Sequence, residues 1–441
     1  MSTTTTLPVQ KKEIFGWAMY DFANSSYTTV VITVLYGAFF VKHIVPPDSA
    51  LRDTYWSIAI VAATVVAMLL SPLVGVLCDS SDQKKRYLAA ASIVCALGTM
   101  GLSLVGPGDV WLGIAMLVVS NAGFMLGESF CASFLPELST PKTMGIISGL
   151  GWGLGYFGGL LSLILMQLVV TADPAVDLAA YLFQNRLAMV LIGLFYLLAA
   201  LPTFLLVQKR DHPAPGFESA SWGQLLRQGL QELSQSFQLA RKHKILFQFL
   251  GVFMVYMAGL EVVIKFIGIY AKEELSLTEG DLIYIFLIIQ ISAALGAFGF
   301  GFLESKLGAK PTVLVTIGWW ILAVLAIFFL PDLAGLFATS QRNIFFVIAV
   351  LAGGGIGSIQ SSSRAVVGML SPPDRTAQMF GFWGMFNRAA IILGMLFGPL
   401  SDLLDSRRQA ILLVVGFFVV GGLLLTRVPI QKGIDEAHGG H

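Results

Sequence analysis

Six ionisable side chains interrupt otherwise apolar stretches of this sequence: Asp21, Glu128, Glu261, Lys265, Arg364 and Arg388. A charge in hydrocarbon costs about 2.5–3.5 kcal/mol on insertion scales, so each needs a partner, a proton or a watery cavity. Asp21, Glu128 and Glu261 are carboxyls that could titrate and couple a flux to a proton gradient. Glu261 and Lys265 stand four apart, so on a helix they share a face and can neutralise one another, as a structural pair or as part of a site. Counting from the ends of the apolar runs places Glu261, Asn387 and Arg388 nearest the bilayer midplane, where membrane carriers bind their substrates. A carboxylate and a guanidinium there could receive the amino and carboxylate ends of a zwitterion.

Other polar and aromatic residues could line the same kind of site. Trp17, Asp21, Asn24, Ser25 and Thr28 fall on one helical face, either toward a cavity or as a hydrogen-bonded seam between helices. Trp152, Tyr156 and Tyr256 could present aromatic surface to a substrate or pack against neighbours. Gly145, Gly149 and Gly153 share one face of their run, and Gly151, Gly155 and Gly159 another. Small residues at that spacing allow close backbone approach, for tight packing or for a hinge.

The elements that must position these residues are membrane helices. The chain has 441 residues, 56% of them hydrophobic and only 12% charged, and its mean hydropathy is +0.79. So little polar surface excludes an ordinary soluble domain, and a net charge of +1 excludes a nucleic-acid footprint. Runs of about twenty apolar residues predict an all-α polytopic protein with twelve helices. They lie near 14–41, 54–78, 87–106, 110–133, 143–170, 186–207, 245–271, 281–303, 311–330, 343–370, 377–400 and 409–428. The expected organisation is a six-helix bundle over 1–207, a linker over 208–244, a second bundle over 245–428 and a tail over 429–441. Within the linker, Trp222, Leu225, Leu226, Leu230, Leu233 and Phe237 recur at helical spacing, which predicts an amphipathic surface helix. Lys and Arg concentrate at both termini, in the linker and in alternate loops, so those segments are expected in the cytoplasm and the protein in the inner (plasma) membrane.

Cys78, Cys95 and Cys131 all fall in apolar runs and read as small buried hydrophobes. No phosphate-binding glycine loop, hydrolase motif or metal cluster is apparent, so no cofactor, metal or catalytic residue is expected and the chain is not read as an enzyme. A gradient remains as the energy source.

The sequence also repeats. Pro136 and Pro372, Gly145 and Gly381, and Gly158 and Gly394 are related by one offset of 236, which also aligns Glu128 with Arg364. Loops 75–86 and 301–310 share Gly, Leu and Lys at common offsets, with Ser305 standing where the first copy has Asp79. Parallel duplication of this kind is a transporter architecture. Opposite charges at equivalent depth could meet as a cytoplasmic gate between Glu128 and Arg364, or each could pair within its own half.

In these features the chain resembles the major facilitator superfamily, whose loop between helices 2 and 3 runs Gly, Leu, Asp, a small residue, then basic residues. Gly75, Leu77, Asp79, Lys84 and Arg86 fit, with Asp82 in place of the small residue. The resemblance implies that the acid meets a helix N-terminus in the other half and that the Arg pairs with a neighbouring acid, latching the cytoplasmic side. It also implies that helices 1, 4, 7 and 10 line the central cavity. The stretches 15–27, from Phe15 through Asp21 to Tyr27, and 147–159, from Ile147 through Trp152 to Gly159, resemble one branch of the superfamily. That branch holds the yeast autophagy-linked vacuolar amino-acid effluxer and bacterial relatives, which implies amino-acid efflux.

The expectation is therefore a monomeric secondary transporter in the lipid bilayer, working by alternating access on a small solute such as an amino acid, with protons as coupling ion. A lipid or lysophospholipid mover and a membrane sensor without transport are the alternatives.

Overall fold

The computed structural model describes residues 8–49, 51–81, 83–208, 242–273, 275, 277, 279–397 and 407–438. All regular elements among them are helices, as hydrocarbon requires of a chain that must satisfy its backbone polar groups within each segment. The long ones are α1 (Lys11–Tyr27), α2 (Arg52–Ser81), α3 (Lys84–Gly101), α4 (Val110–Ser133), α5 (Met144–Val169) and α6 (Leu178–Leu206). They continue with α7 (Lys244–Glu273), α8 (Glu279–Leu307), α9 (Ala309–Phe328), α10 (Gln341–Leu370), α11 (Thr376–Gly394) and α12 (Leu412–Arg427), and α13 (Ile430–His438) closes the series. Beyond Tyr27 the first span runs on through π-helical turns at Thr28–Val34 and Phe40–Ile44 with a short α-helix, Tyr36–Phe39, between them.

Among the described residues, eleven helical spans are long and apolar enough to cross a bilayer. α11 accounts for the remaining one of the twelve expected helices; Gln378, Asn387 and Arg388 interrupt its apolar run. Many large apolar side chains point outward, with Leu168, Leu198 and Leu205 at 72, 69 and 70% exposure, while buried Ala and Ser stand among large aromatics such as Trp17, Phe249 and Trp320. An apolar outer surface suits lipid as the solvent, and the small residues allow close helix approach. Cys78, Cys95 and Cys131 are buried, and none of them forms a disulfide among the described residues.

The described residues form two compact units that do not follow chain order strictly. One draws on Met1–Leu138, Leu154–Leu233 and Asp374–Gly384; the other on Ser139–Gly153, Ser234–Pro373 and Met385–His441. The first half of α5 therefore packs with α8 and α10, and the first half of α11 with α2. Within the units the same neighbours recur, α1 on α6 as α7 on α12, α2 on α4 as α8 on α10, and α3 on α4 as α9 on α10. The repeat reaches single contacts: Gly158 lies against the Phe22 carbonyl and Gly394 against the Ala258 carbonyl, and both partners are 236 residues apart in the chain.

The linker helix expected around Trp222–Phe237 lies outside the described residues. In the tail, α13 packs on α7 and α10, with Gly433 against Ile245 and Leu370 and the His438 ring 3.0 Å from the Met369 carbonyl.

Candidate functional site

In the second unit, Lys265 donates to Glu261 Oε2 at 2.6 Å, forming the pair that their spacing anticipates on α7. Glu261 is nearly buried, and its Cβ lies close to Gly394 of α11. Asn387, seven residues before Gly394, shares the helix face that meets α7. Its Oδ1 is buried and accepts no hydrogen bond among the described residues. Arg388 is 2% exposed. Tyr256 is fully buried one turn from Glu261, and its hydroxyl lies 2.7 Å from Ser363 Oγ, which ties α7 to α10.

Arg364, on α10, reaches the first half of α5. Its Nε donates to Ser148 Oγ at 3.0 Å and its Nη2 to the Ser148 carbonyl at 2.8 Å. Ser148 Oγ donates in turn to the Ser361 carbonyl at 2.7 Å, and the guanidinium lies 5.3 Å from the centre of the Trp152 ring. A cation over an aromatic face adds to the charge-assisted bonds. Trp152 and Arg364 thus act on one another, and Ser148, which the sequence reading passed over, joins them.

In the first unit the polar stripe of α1 is woven into its neighbours. Trp17 Nε1 donates to the Cys131 carbonyl at 2.7 Å. The Tyr196 hydroxyl donates to Asn24 Oδ1 at 3.0 Å and pairs with Tyr20, which accepts from Ser92. Asn24 is thereby joined to a hydrogen-bond chain across α1, α6 and α3. Gly155 and Gly158 of α5 press on Ser25 and Phe22 of α1. Asp21 is 8% exposed; Glu128 and Tyr156 are half-buried.

Of the latch residues, Gly75 admits the start of α11, because a Cβ there would stand 2.6 Å from the Ala377 carbonyl. Lys84 donates to Glu137 Oε1 at 2.5 Å and to the Thr376 hydroxyl. Among the described residues the basic group that binds an acid here is Lys84, while Arg86 bonds Gln83 at 3.2 Å. Asp82 and the side chain of Asp79 lie outside the described residues. Lys85 caps the end of α6 through the Val207 carbonyl, as Lys310 caps the end of α12 through Thr426 and Val428.

Glu137 and Glu304 are two acids that sequence reading did not single out. Both stand near the ends of helical segments, where counting along the chain assigns a side chain to the interface. Glu304 is instead 4% exposed. Among the described residues no group of three or more His, Cys, Asp or Glu side chains could hold a metal ion.

Comparison with known proteins agrees with this architecture. Residues 54–145 and 142–438 match the family described as "Vacuole effluxer Atg22 like". The MFS-type transporter YxiO of Bacillus subtilis is 24% identical over 96% of both chains. Autophagy-related protein 22 of Saccharomyces cerevisiae (strain ATCC 204508 / S288c) is 23% identical over 87% of this chain and 78% of that protein. Among solved structures, the proton:xylose symporter XylE superposes with a TM-score of 0.70 at 13% identity, covering 97% of each chain. The transporter FucP in its outward conformation superposes with a TM-score of 0.68 at 15% identity, covering 94% of this chain and 97% of that one. These relatives are transporters and not enzymes, and the chain is a multi-pass membrane protein of their kind. It belongs to the Atg22-like vacuole effluxer family, a branch of the major facilitator superfamily.

Proposed function

We propose that this secondary transporter exports a small zwitterionic metabolite such as an amino acid, by alternating access, with protons as the coupling ion. The observation that carries the reading is Asn387, whose buried Oδ1 lacks a donor on the helix face that meets Glu261 of α7. A buried acceptor left unpaired is costly, and a ligand ammonium group would supply the missing donor. Arg388, the next residue, offers a guanidinium suited to a carboxylate. Asp21, Glu128 and Glu261 are the carboxyls proposed to exchange protons, and the Lys84 cluster with Glu137 and Thr376 is proposed to act as a latch.

The test is a thermal-shift screen of purified protein across amino acids, peptides, sugars and lysolipids, since a ligand that binds the folded state raises its stability. Amino acids are expected to stabilise it, and Arg388→Ala to remove that stabilisation while the protein stays folded. Stabilisation by lysolipids alone would overturn the zwitterion reading, and an unchanged response in Arg388→Ala would remove Arg388 from the site. Flux into liposomes under an imposed pH gradient separates a transporter from a sensor, which moves nothing.

Both termini are proposed to be cytoplasmic, from the distribution of basic loops. A reporter fused beyond His441 should then be active in the cytoplasm, and one inserted near Asp177, between α5 and α6, should be active outside. Opposite results would invert the assigned orientation.

A further inference from the structure

Glu304 stands one turn before the end of α8, and both of its carboxyl oxygens are buried without a hydrogen bond among the described residues. No ion pair reaches it among the described residues. Three helices of one unit enclose it. Gly145, the second residue of α5, faces the carboxyl so closely that a Cβ there would stand 2.7 and 2.8 Å from its two oxygens. Gly301, one turn earlier on α8, rests on the Gly145 carbonyl, so the α5–α8 contact is backbone to backbone at this point. Ser362 of α10 lies beside the carboxyl, and its own hydroxyl is buried outside hydrogen-bond geometry.

The charged groups on the enclosing elements are engaged elsewhere or face outward. Arg364, two residues beyond Ser362, is turned to Ser148 and Trp152. Lys142, ahead of α5, and Lys306, on α8, are exposed. Lys310, on α9, is bonded to the carbonyls that end α12. None of these neutralises Glu304, and an ionised carboxylate without donors is expensive to bury. A proton removes the charge and adds a donor, for which Ser362 Oγ is the adjacent acceptor.

We propose that Glu304 is a proton site whose occupancy decides whether the first half of α5 stays packed on α8 and α10. In the packed state the carboxyl carries the proton. When the start of α5 comes away, water enters, the O–H proton passes to it and the carboxylate that remains is hydrated. Repacking requires the reverse transfer. A cation-coupled carrier needs such a link between an ion and a seam between helices, and the Gly145–Glu304 contact places the ion in the seam itself. Gly145 is required there because any side chain would displace the acid.

This inference rests on the proton-driven reading above, but its test uses no substrate. Hydrogen exchange in the peptide Met144–Gly153 of the full-length protein in nanodiscs would be followed from about pH 6 to about pH 9, with exchange times scaled for the intrinsic pH dependence. In the wild type, protection should fall by about tenfold or more across that range. Glu304→Gln should hold it at its low-pH level throughout. A wild-type response that survives in Glu304→Gln, or protection that does not change with pH, would overturn the proposal. So would protection at high pH that sodium restores, because the site would then take a metal cation. If Glu304→Gln fails to accumulate, Ser362→Ala should move the midpoint of the response by about half a pH unit or more, roughly one hydrogen bond's worth, and an unmoved midpoint would count against it. Absence of proton-driven flux with this response intact would instead refute only the coupling reading.

Discussion

Valine at Gly158 is expected to keep the protein from reaching the membrane in folded form. The glycine lies on the backbone of Phe22 in α1, and a Cβ would stand 2.7 Å from the Phe22 carbonyl carbon and 2.8 Å from its Cα. Those atoms belong to a helix backbone and cannot turn aside as a side chain can, so α1 and α5 would have to separate. Overpacking of this kind typically costs about 1–3 kcal/mol, occasionally more, and the backbone clash places Gly158→Val at or beyond the upper end. Gly394→Val should be milder, because the corresponding Cβ stands 2.8 Å from the Ala258 carbonyl oxygen. Gly251→Ala and Gly416→Ala are the controls, since nothing lies within 4 Å of either added methyl. Melting curves of fluorescent fusions in detergent would rank the four. A Gly158→Val protein as stable as the controls would contradict the α1–α5 packing described above.

Removing the Arg364 side chain should be nearly as severe. The guanidinium makes two bonds to Ser148 and lies over Trp152, and it is 2% exposed. Hydrogen bonds to charged groups contribute about 1.5–3 kcal/mol each, so Arg364→Ala should lower stability by roughly 3 kcal/mol or more. Arg364→Lys keeps the charge but not the planar fork, and should recover less than half of the loss. Transport should fall with stability in both.

The helices and the repeat were legible because both are written in composition and spacing. Apolar runs predict where each helix lies, and the single offset relating Gly158 to Gly394 also relates the residues they touch, Phe22 and Ala258. The glycine faces of α5 were legible for the same reason. Gly145, Gly149 and Gly153 meet α8, at Glu304, Ala297 and Phe298; of the other face Gly155 meets α1, and so does Gly158, which the sequence reading did not place on it. Partners were not legible, because they depend on which helices are neighbours. Nothing in the chain near Arg364 names Ser148, and nothing near Lys84 names Thr376. Glu304 was missed through depth counting: an acid one turn from a helix end is counted as reaching water, and the glycine at 145 in another helix lets it be enclosed.

The division of α5 between the two units also bears on how the chain is made. As the ribosome delivers the first six helices, Leu154–Val169 can settle at once on α1, whose Ser25 and Phe22 already exist. Ser139–Gly153 cannot. Its glycines are shaped for Ala297, Phe298 and Gly301, and its Ser148 for Arg364, none of which has yet been synthesised. For that interval the nascent protein carries a glycine-rich helical surface with no protein against it, in lipid or against the insertion machinery. Translation must pass α10 before the segment can dock. A pause or truncation between α6 and α10 would leave it open to wrong helices and to quality-control proteases, which makes the late half of the gene a condition for completing the early half of the fold.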